Sequence, residues 1–174
     1  MAGYKPIGRT EIARQKKSLD AQFLRLFTLA TQNPTNDLVP DLTRHLCVRL
    51  VGCLEQVTAA LGRSAVEANS SYLAQAWALS WLDRSPNPSS RALRGFVERF
   101  STTWAEELST WLADDERGSS LNALVGIRND IAHGKNQGVS GAQAFGYYEL
   151  VVEVMDWLAD RLEPKPGMKP ASAP

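Results

Sequence analysis

An all-α bundle of five to seven helices is the fold class this chain predicts, and three observations carry the prediction. Its nine prolines, at 6, 34, 40, 86, 88, 164, 166, 170 and 174, leave long stretches uninterrupted. Within those stretches apolar residues recur at spacings of three and four, the period of a helix with one buried face. No stretch shows the apolar–polar alternation of a half-buried strand.

The elements follow in order. A first helix is expected from Thr10 to about Gln32, with Ile12, Leu19, Phe23, Leu26, Phe27 and Ala30 as its apolar face and Asn33-Pro34 as its stop. A second opens near residues 36–40, where a proline is tolerated in the first turn. Leu42, Leu46, Leu50, Leu54, Val57 and Leu61 form its core stripe, and Gly62 is its expected C-terminal stop. A third, less regular segment runs from about Ser64 to Leu82. Its second half, YLAQAWALSWL, is apolar nearly all round, which predicts deep burial. SPNPSS at 85–90 is a turn by composition. RALRGFVERF follows, and then a helix signalled by the capping-box spacing of Thr103 and Glu106. Another helix opens near Ser119–Ser120 and closes at Gly134. After the loop KNQGVSG, Ser140 caps a last helix that carries Tyr147, Leu150, Val151, Val154, Leu158 and Leu162 along one face. PKPGMKPASAP lacks the apolar content to fold and predicts a disordered tail. The chain thus divides into an N-terminal helical segment at 1–35, a helical domain at 36–163 and a tail at 164–174.

Composition narrows the function classes. At 174 residues, 44% hydrophobic and 22% charged, this is an ordinary globular composition. Nineteen Lys+Arg against nineteen Asp+Glu produce no global attraction to nucleic acid. The charge is uneven, however: residues 1–50 hold eight basic against four acidic groups, and 101–120 hold five acidic against one basic. A polyanion would therefore meet one face. Cys47 and Cys53 provide neither a disulfide framework nor a zinc set, and six residues apart on a helix they point about 120° from each other. Buried free thiols in a reducing cytosol are the expectation. The N-terminus lacks the apolar core of a secretory signal, and no apolar run reaches membrane-spanning length. A cytoplasmic protein with no membrane association is expected.

Most familiar catalytic motifs are missing: there is no phosphate loop, no GxSxG, no HExxH and no spaced acidic cluster for a hard metal. The tryptophans at 77, 81, 104, 111 and 157 fall on apolar faces and read as core. His45 has no carboxylate at helical spacing and reads as a surface or boundary histidine. What remains is LNALVGIRNDIAHG at 121–134, where Arg128, Asn129, Asp130 and His133 crowd the last two turns of a helix. A basic helix C-terminus closed by glycine accounts for part of this. It does not account for the polar cluster placed just before a loop and a long final helix.

With its penultimate helix ending in R-N-x-x-x-H, here RNDIAH from Arg128 to His133, the chain resembles a HEPN domain, and the surrounding stretch is similar to the RiboL-PSP subgroup. The likeness in helical organisation covers roughly residues 36–162. The resemblance implies a metal-independent endoribonuclease that works as a homodimer, of the kind found in toxin–antitoxin and antiviral systems, with no cofactor and no metal. Such enzymes use the RNA 2′-OH as nucleophile and leave a cyclic phosphate and a 5′-OH. Carried onto this chain, Arg128, Asn129 and His133 are the catalytic set. An imidazole suits proton transfer near neutral pH. A guanidinium fork suits the doubly negative phosphorane. Asn129 would orient the phosphate or His133. Asp130, Glu55 and Lys135 are supporting candidates. Family members paired with a nucleotidyltransferase antitoxin carry Tyr two residues after the His; Lys135 stands there, which counts against that partner and leaves another antitoxin or regulatory protein open.

Spacing adds its own argument. Residues five apart on an ideal helix lie about 140° apart around the axis. Arg128 and His133 therefore converge on one phosphate only if the helix end is irregular or a second copy completes the site across a two-fold axis. The competing reading is a catalytically inactive HEPN-like module for dimerisation or partner binding, since a shared fold does not guarantee the activity.

Overall fold

The apolar stripe of the second segment organises the architecture. The computed structural model describes residues 7–82 and 87–163. Those residues form α1 (Ile7–Gln32), α2 (Leu38–Asn69), α3 (Tyr72–Leu82), α4 (Ser90–Glu98), α5 (Thr102–Ala113), α6 (Arg117–Ala132) and α7 (Gly141–Leu162), with a 3-10 turn at Asp114–Glu116. No strand occurs among the described residues, so the fold is the all-α bundle expected. The tail expected at 164–174 and part of the expected turn at 85–90 lie outside the described residues.

α2 is central, with α1, α3, α6 and α7 all packed on it. Leu46, Leu50, Leu54, Val57 and Leu61 are fully buried. They meet Ile12, Leu19, Phe23 and Leu26 of α1 and Leu150, Val151, Val154, Leu158 and Leu162 of α7 in one core. Each such side chain contributes about 1.5–3 kcal/mol when removed from water. α4 and α5 pack on each other and on α6. α6 is thereby held by α2, α4, α5 and α7, and this fixes where its C-terminal turn emerges.

Several local expectations are corrected. Gly62 does not end α2, which continues to Asn69. It is buried, and an added Cβ would stand 2.9 Å from Leu82 Cδ2 and 3.0 Å from Phe96 Cζ. The glycine allows close helix contact rather than a stop. α3 is not deeply buried: Leu73 is 81% and Trp77 67% exposed. Leu42 and Phe27 are also exposed at the rims of their stripes. α5 is capped by Ser101, whose hydroxyl accepts from Trp104 N at 3.3 Å, two residues before the expected cap. Ser140 caps α7 as expected, accepting from Gln143 N at 3.1 Å. Trp104 is buried in the core, whereas Trp111 and Trp157 stack at 6.3 Å with Arg161 over Trp157 at 3.6 Å.

Both cysteines are buried and free. Burial pushes the Cys47 thiol up to about 11, so it is a poor nucleophile at neutral pH.

The chain ends of the bundle are clasped by one buried carboxylate. Glu163, 1% exposed, accepts from Gly8 N at 3.3 Å, from Arg9 N at 2.5 Å and from Ser64 Oγ. It thereby satisfies amides that the first turn of α1 leaves without helical acceptors. Arg9 returns the contact through Nε to the Glu163 carbonyl at 2.7 Å and through Nη2 to Asp160 at 2.8 Å. Gly8 must stay small for this to close. A Cβ there would press on the buried Leu61 side chain, 2.9 Å from its Cγ, and on Glu163 Oε2 at 3.1 Å. Gly8→Ala is expected to cost about 1–3 kcal/mol from overpacking. Urea titration reads this directly, and an unchanged midpoint would refute the close-packing argument.

Candidate functional site

The stretch that carries the polar residues is the last part of α6 and the turn after it. α6 is regular through Ala132, and His133 follows as its C-cap at φ −92°, ψ 14°. Gly134 then takes φ +75°, a conformation that glycine adopts without a Cβ penalty. Lys135 N donates to Asp130 O at 2.9 Å and Gly134 N to Ile131 O at 3.0 Å. These paired bonds close the helix as a Schellman turn. The turn leaves His133 exposed at the protein surface. No hydrogen bond or ion pair to a described residue holds its ring.

Arg128 and Asn129 sit one turn deeper and are partly buried. Arg128 Nη1 donates to Asn129 Oδ1 at 3.1 Å, and Arg128 Nη2 lies 3.5 Å from Glu55 Oε1 of α2. Glu55, a polar break beside the α2 core stripe, is thus brought against the motif. The segment before α4 adds Asn87, whose Nδ2 is 3.5 Å from Asn129 Oδ1. Asn87 Oδ1 is buried and has no partner among the described residues. Two donors converge on Asn129 Oδ1, so its carboxamide is oriented with the amino end turned away from them.

Asp130 organises the following loop. It accepts from Lys135 Nζ at 2.8 Å and from Gln137 Nε2 at 2.5 Å. The Lys135 hydrogen bond holds the Asp130 carboxyl below its ordinary range, against a smaller opposing effect of burial. Arg44 of α2 reaches the same loop, donating to Asn136 Oδ1 at 3.0 Å while paired with Asp41. Because the folded-state pKa of Asp130 is depressed, its tether is fully present above the ordinary aspartate range, about pH 3.9. It is lost as pH falls through the lower folded value. Asp130→Asn is expected to speed amide exchange across 134–140 at neutral pH with little change in global stability. Unchanged exchange in that loop would remove Asp130 from this role.

Five of the six residues expected at the site are contributed by α6 and its closing turn, and they form two groups: Arg128 and Asn129 with Glu55 of α2, and Asp130 with Lys135, while no contact joins His133 to Arg128. Arg128 faces Glu55, Lys135 faces Asp130, and Arg44 faces Asp41. The cations are therefore matched by acids in the free protein, in keeping with the neutral composition. Asn87, Gln137 and the Arg44–Asn136 bond are additions that the sequence did not reveal. Asn87 stands between two prolines in the sequence, and no local pattern distinguishes it from any other asparagine outside a helix. Among the described residues, no three His, Cys, Asp or Glu side chains cluster so as to hold a metal ion. No helix among them is long and apolar enough to cross a membrane.

The model of the family described as RiboL-PSP-HEPN matches residues 10–164, a range that runs from the first turns of α1 past the end of α7. No curated protein and no solved structure matches the chain. An all-α bundle whose penultimate helix ends in RNDIAH, matched over nearly its whole length, belongs to the RiboL-PSP-HEPN family, a HEPN-type domain.

Proposed function

We propose that the chain is a metal-independent endoribonuclease whose active site is completed by a second copy of itself. The observation that carries this reading is the arrangement at the end of α6. Arg128 is braced by Glu55 and Asn129, while His133 stands exposed on the same terminal turns, its ring held by no hydrogen bond to a described residue. In the reaction, the RNA 2′-oxygen bonds to the adjacent phosphorus as its proton passes to one imidazole. The phosphorus–O5′ bond then breaks, with a proton delivered to O5′. A 2′,3′-cyclic phosphate and a 5′-OH result, and no water or cofactor is consumed. Arg128 supplies charge-assisted hydrogen bonds to the equatorial oxygens, and Asn129 orients the phosphate.

The regularity of α6 favours the two-copy site. α6 continues as helix from Arg128 to Ala132 and His133 follows as its cap, so positions 128 and 133 start from opposite sides of the helix, about 140° apart by ideal geometry. A two-fold axis beside the exposed turn supplies the second imidazole, one acting as base and one as acid. An effector role in toxin–antitoxin or antiviral defence, held in check by a protein partner in the cytoplasm, fits such an activity.

The test is purified protein on total RNA in EDTA, with end analysis of the products. Cyclic-phosphate ends are the expected outcome, and intact RNA would favour the catalytically inactive binding module instead. Sedimentation of the active species checks the composite site, and a strictly monomeric active enzyme would sink it.

A further inference from the structure

One polar stripe of α2 runs beside the motif, its far end touching α1 where buried Gln15 donates to Gln56 Oε1 at 2.5 Å. His45, Arg49, Gly52 and Gln56 follow at spacings of four, three and four, which places them in one straight stripe about 16 Å long. His45 and Gln56 are exposed, and Arg49 and Gly52 are partly buried. An added Cβ at Gly52 would meet nothing within 4 Å, so the middle of the stripe is an open floor. Arg44 and Glu55 stand on the neighbouring ridge of the same helix, about 90–110° around it from the centre of the stripe. These two residues hold the motif: Arg44 donates to Asn136 at 3.0 Å, and Glu55 lies 3.5 Å from Arg128. The end of α6 and its loop therefore wall one side of the floor.

Arg49 is the unsatisfied group on this face. Its Nε is closed off from solvent and has no hydrogen-bond partner among the described residues. Arg44, Arg128 and Lys135 nearby each stand against a carboxylate. A guanidinium that has lost hydration on one edge without a compensating acceptor favours an anion on its remaining edge. His45, one turn earlier, adds a second donor, and the missing side chain at Gly52 leaves room for a sugar–phosphate backbone.

We propose that this stripe is a track for single-stranded RNA, with Arg49 gripping a phosphate that neighbours the one cleaved at the motif. The inference rests on the ribonuclease reading and adds to it a binding surface outside the RNDIAH stretch. Charge selects the occupant, since a phosphate backbone matches the Arg49 guanidinium and the His45 donor beside it better than an apolar or cationic partner does.

Fluorescence anisotropy with a labelled, fully 2′-O-methylated single-stranded RNA tests this, because that probe has no 2′-OH with which to react. Arg49→Gln is expected to weaken binding by about fivefold to thirtyfold and to flatten the slope of log affinity against log salt by about 0.7, one phosphate contact on a single strand. Arg49→Lys should recover most of the affinity, and Arg94→Gln on α4 should change neither quantity. Circular dichroism and sedimentation on each variant report fold and oligomeric state. If Arg49→Gln binds like the parent protein with the same salt slope, the track is wrong while the ribonuclease reading stands. If the parent protein binds none of the RNA, both fall. If Arg49→Gln loses affinity only by losing its dimer, Arg49 serves a carboxylate of the second copy and the track is overturned.

Discussion

Replacing His133 by alanine is expected to slow RNA cleavage by about a hundredfold or more, the usual scale of a general acid or base. Folding stability should stay within about 0.5 kcal/mol, because an exposed side chain that makes no hydrogen bond to a described residue is being removed. The loss should fall on kcat and on kcat/KM alike, since proton transfer belongs to the transition state and not to RNA binding. Arg128→Lys should show a different pattern. It keeps the charge but gives up the planar fork that meets Asn129 and Glu55, and most of the activity should go with it. Single-turnover kinetics on a short RNA separates these effects. Cleavage that survived His133→Ala would show that the imidazole is not the proton carrier.

The second large effect is structural. Glu163→Ala should lower folding stability by about 3–5 kcal/mol, the scale for leaving several buried donors without their acceptor at about 1–3 kcal/mol each. The substitution leaves Gly8 N, Arg9 N and Ser64 Oγ without the acceptor they share. At 1% exposure, water cannot replace it. Urea denaturation should show a lower midpoint with an unchanged m-value, because the surface exposed on unfolding is the same. Glu163→Gln should be milder, as its remaining carbonyl can serve one amide. A loss below about 1 kcal/mol for Glu163→Ala would mean that the clasp between α1 and the end of α7 is not a stability element.

What the sequence disclosed followed from how local each signal is. The stripes of α2 and α7 were legible because a three-and-four spacing places residues on one face whatever the rest of the chain does. Ser140 and Gly134 were legible for the same reason, since capping chemistry is settled within a few residues. α3 was misread because its apolar composition is local but its burial depends on its neighbours. It packs against α2, and Leu73 and Trp77 are left facing outward. Gly62 was misread because a glycine at a stop and a glycine at a helix crossing look alike until Leu82 and Phe96 are seen beside it.

The site divides along the same line. Sequence by itself determined that Arg128, Asn129 and His133 close one helix together with Asp130 and Gly134, because seven consecutive residues at a helix end have their relative positions dictated by backbone geometry. Only the tertiary structure decided that Glu55 meets Arg128 across 72 intervening positions, that Asn87 leans on Asn129, and that Arg44 anchors the loop at Asn136. Those contacts depend on how α2, the segment before α4 and α6 pack around a shared core, and no spacing within any one segment records that packing.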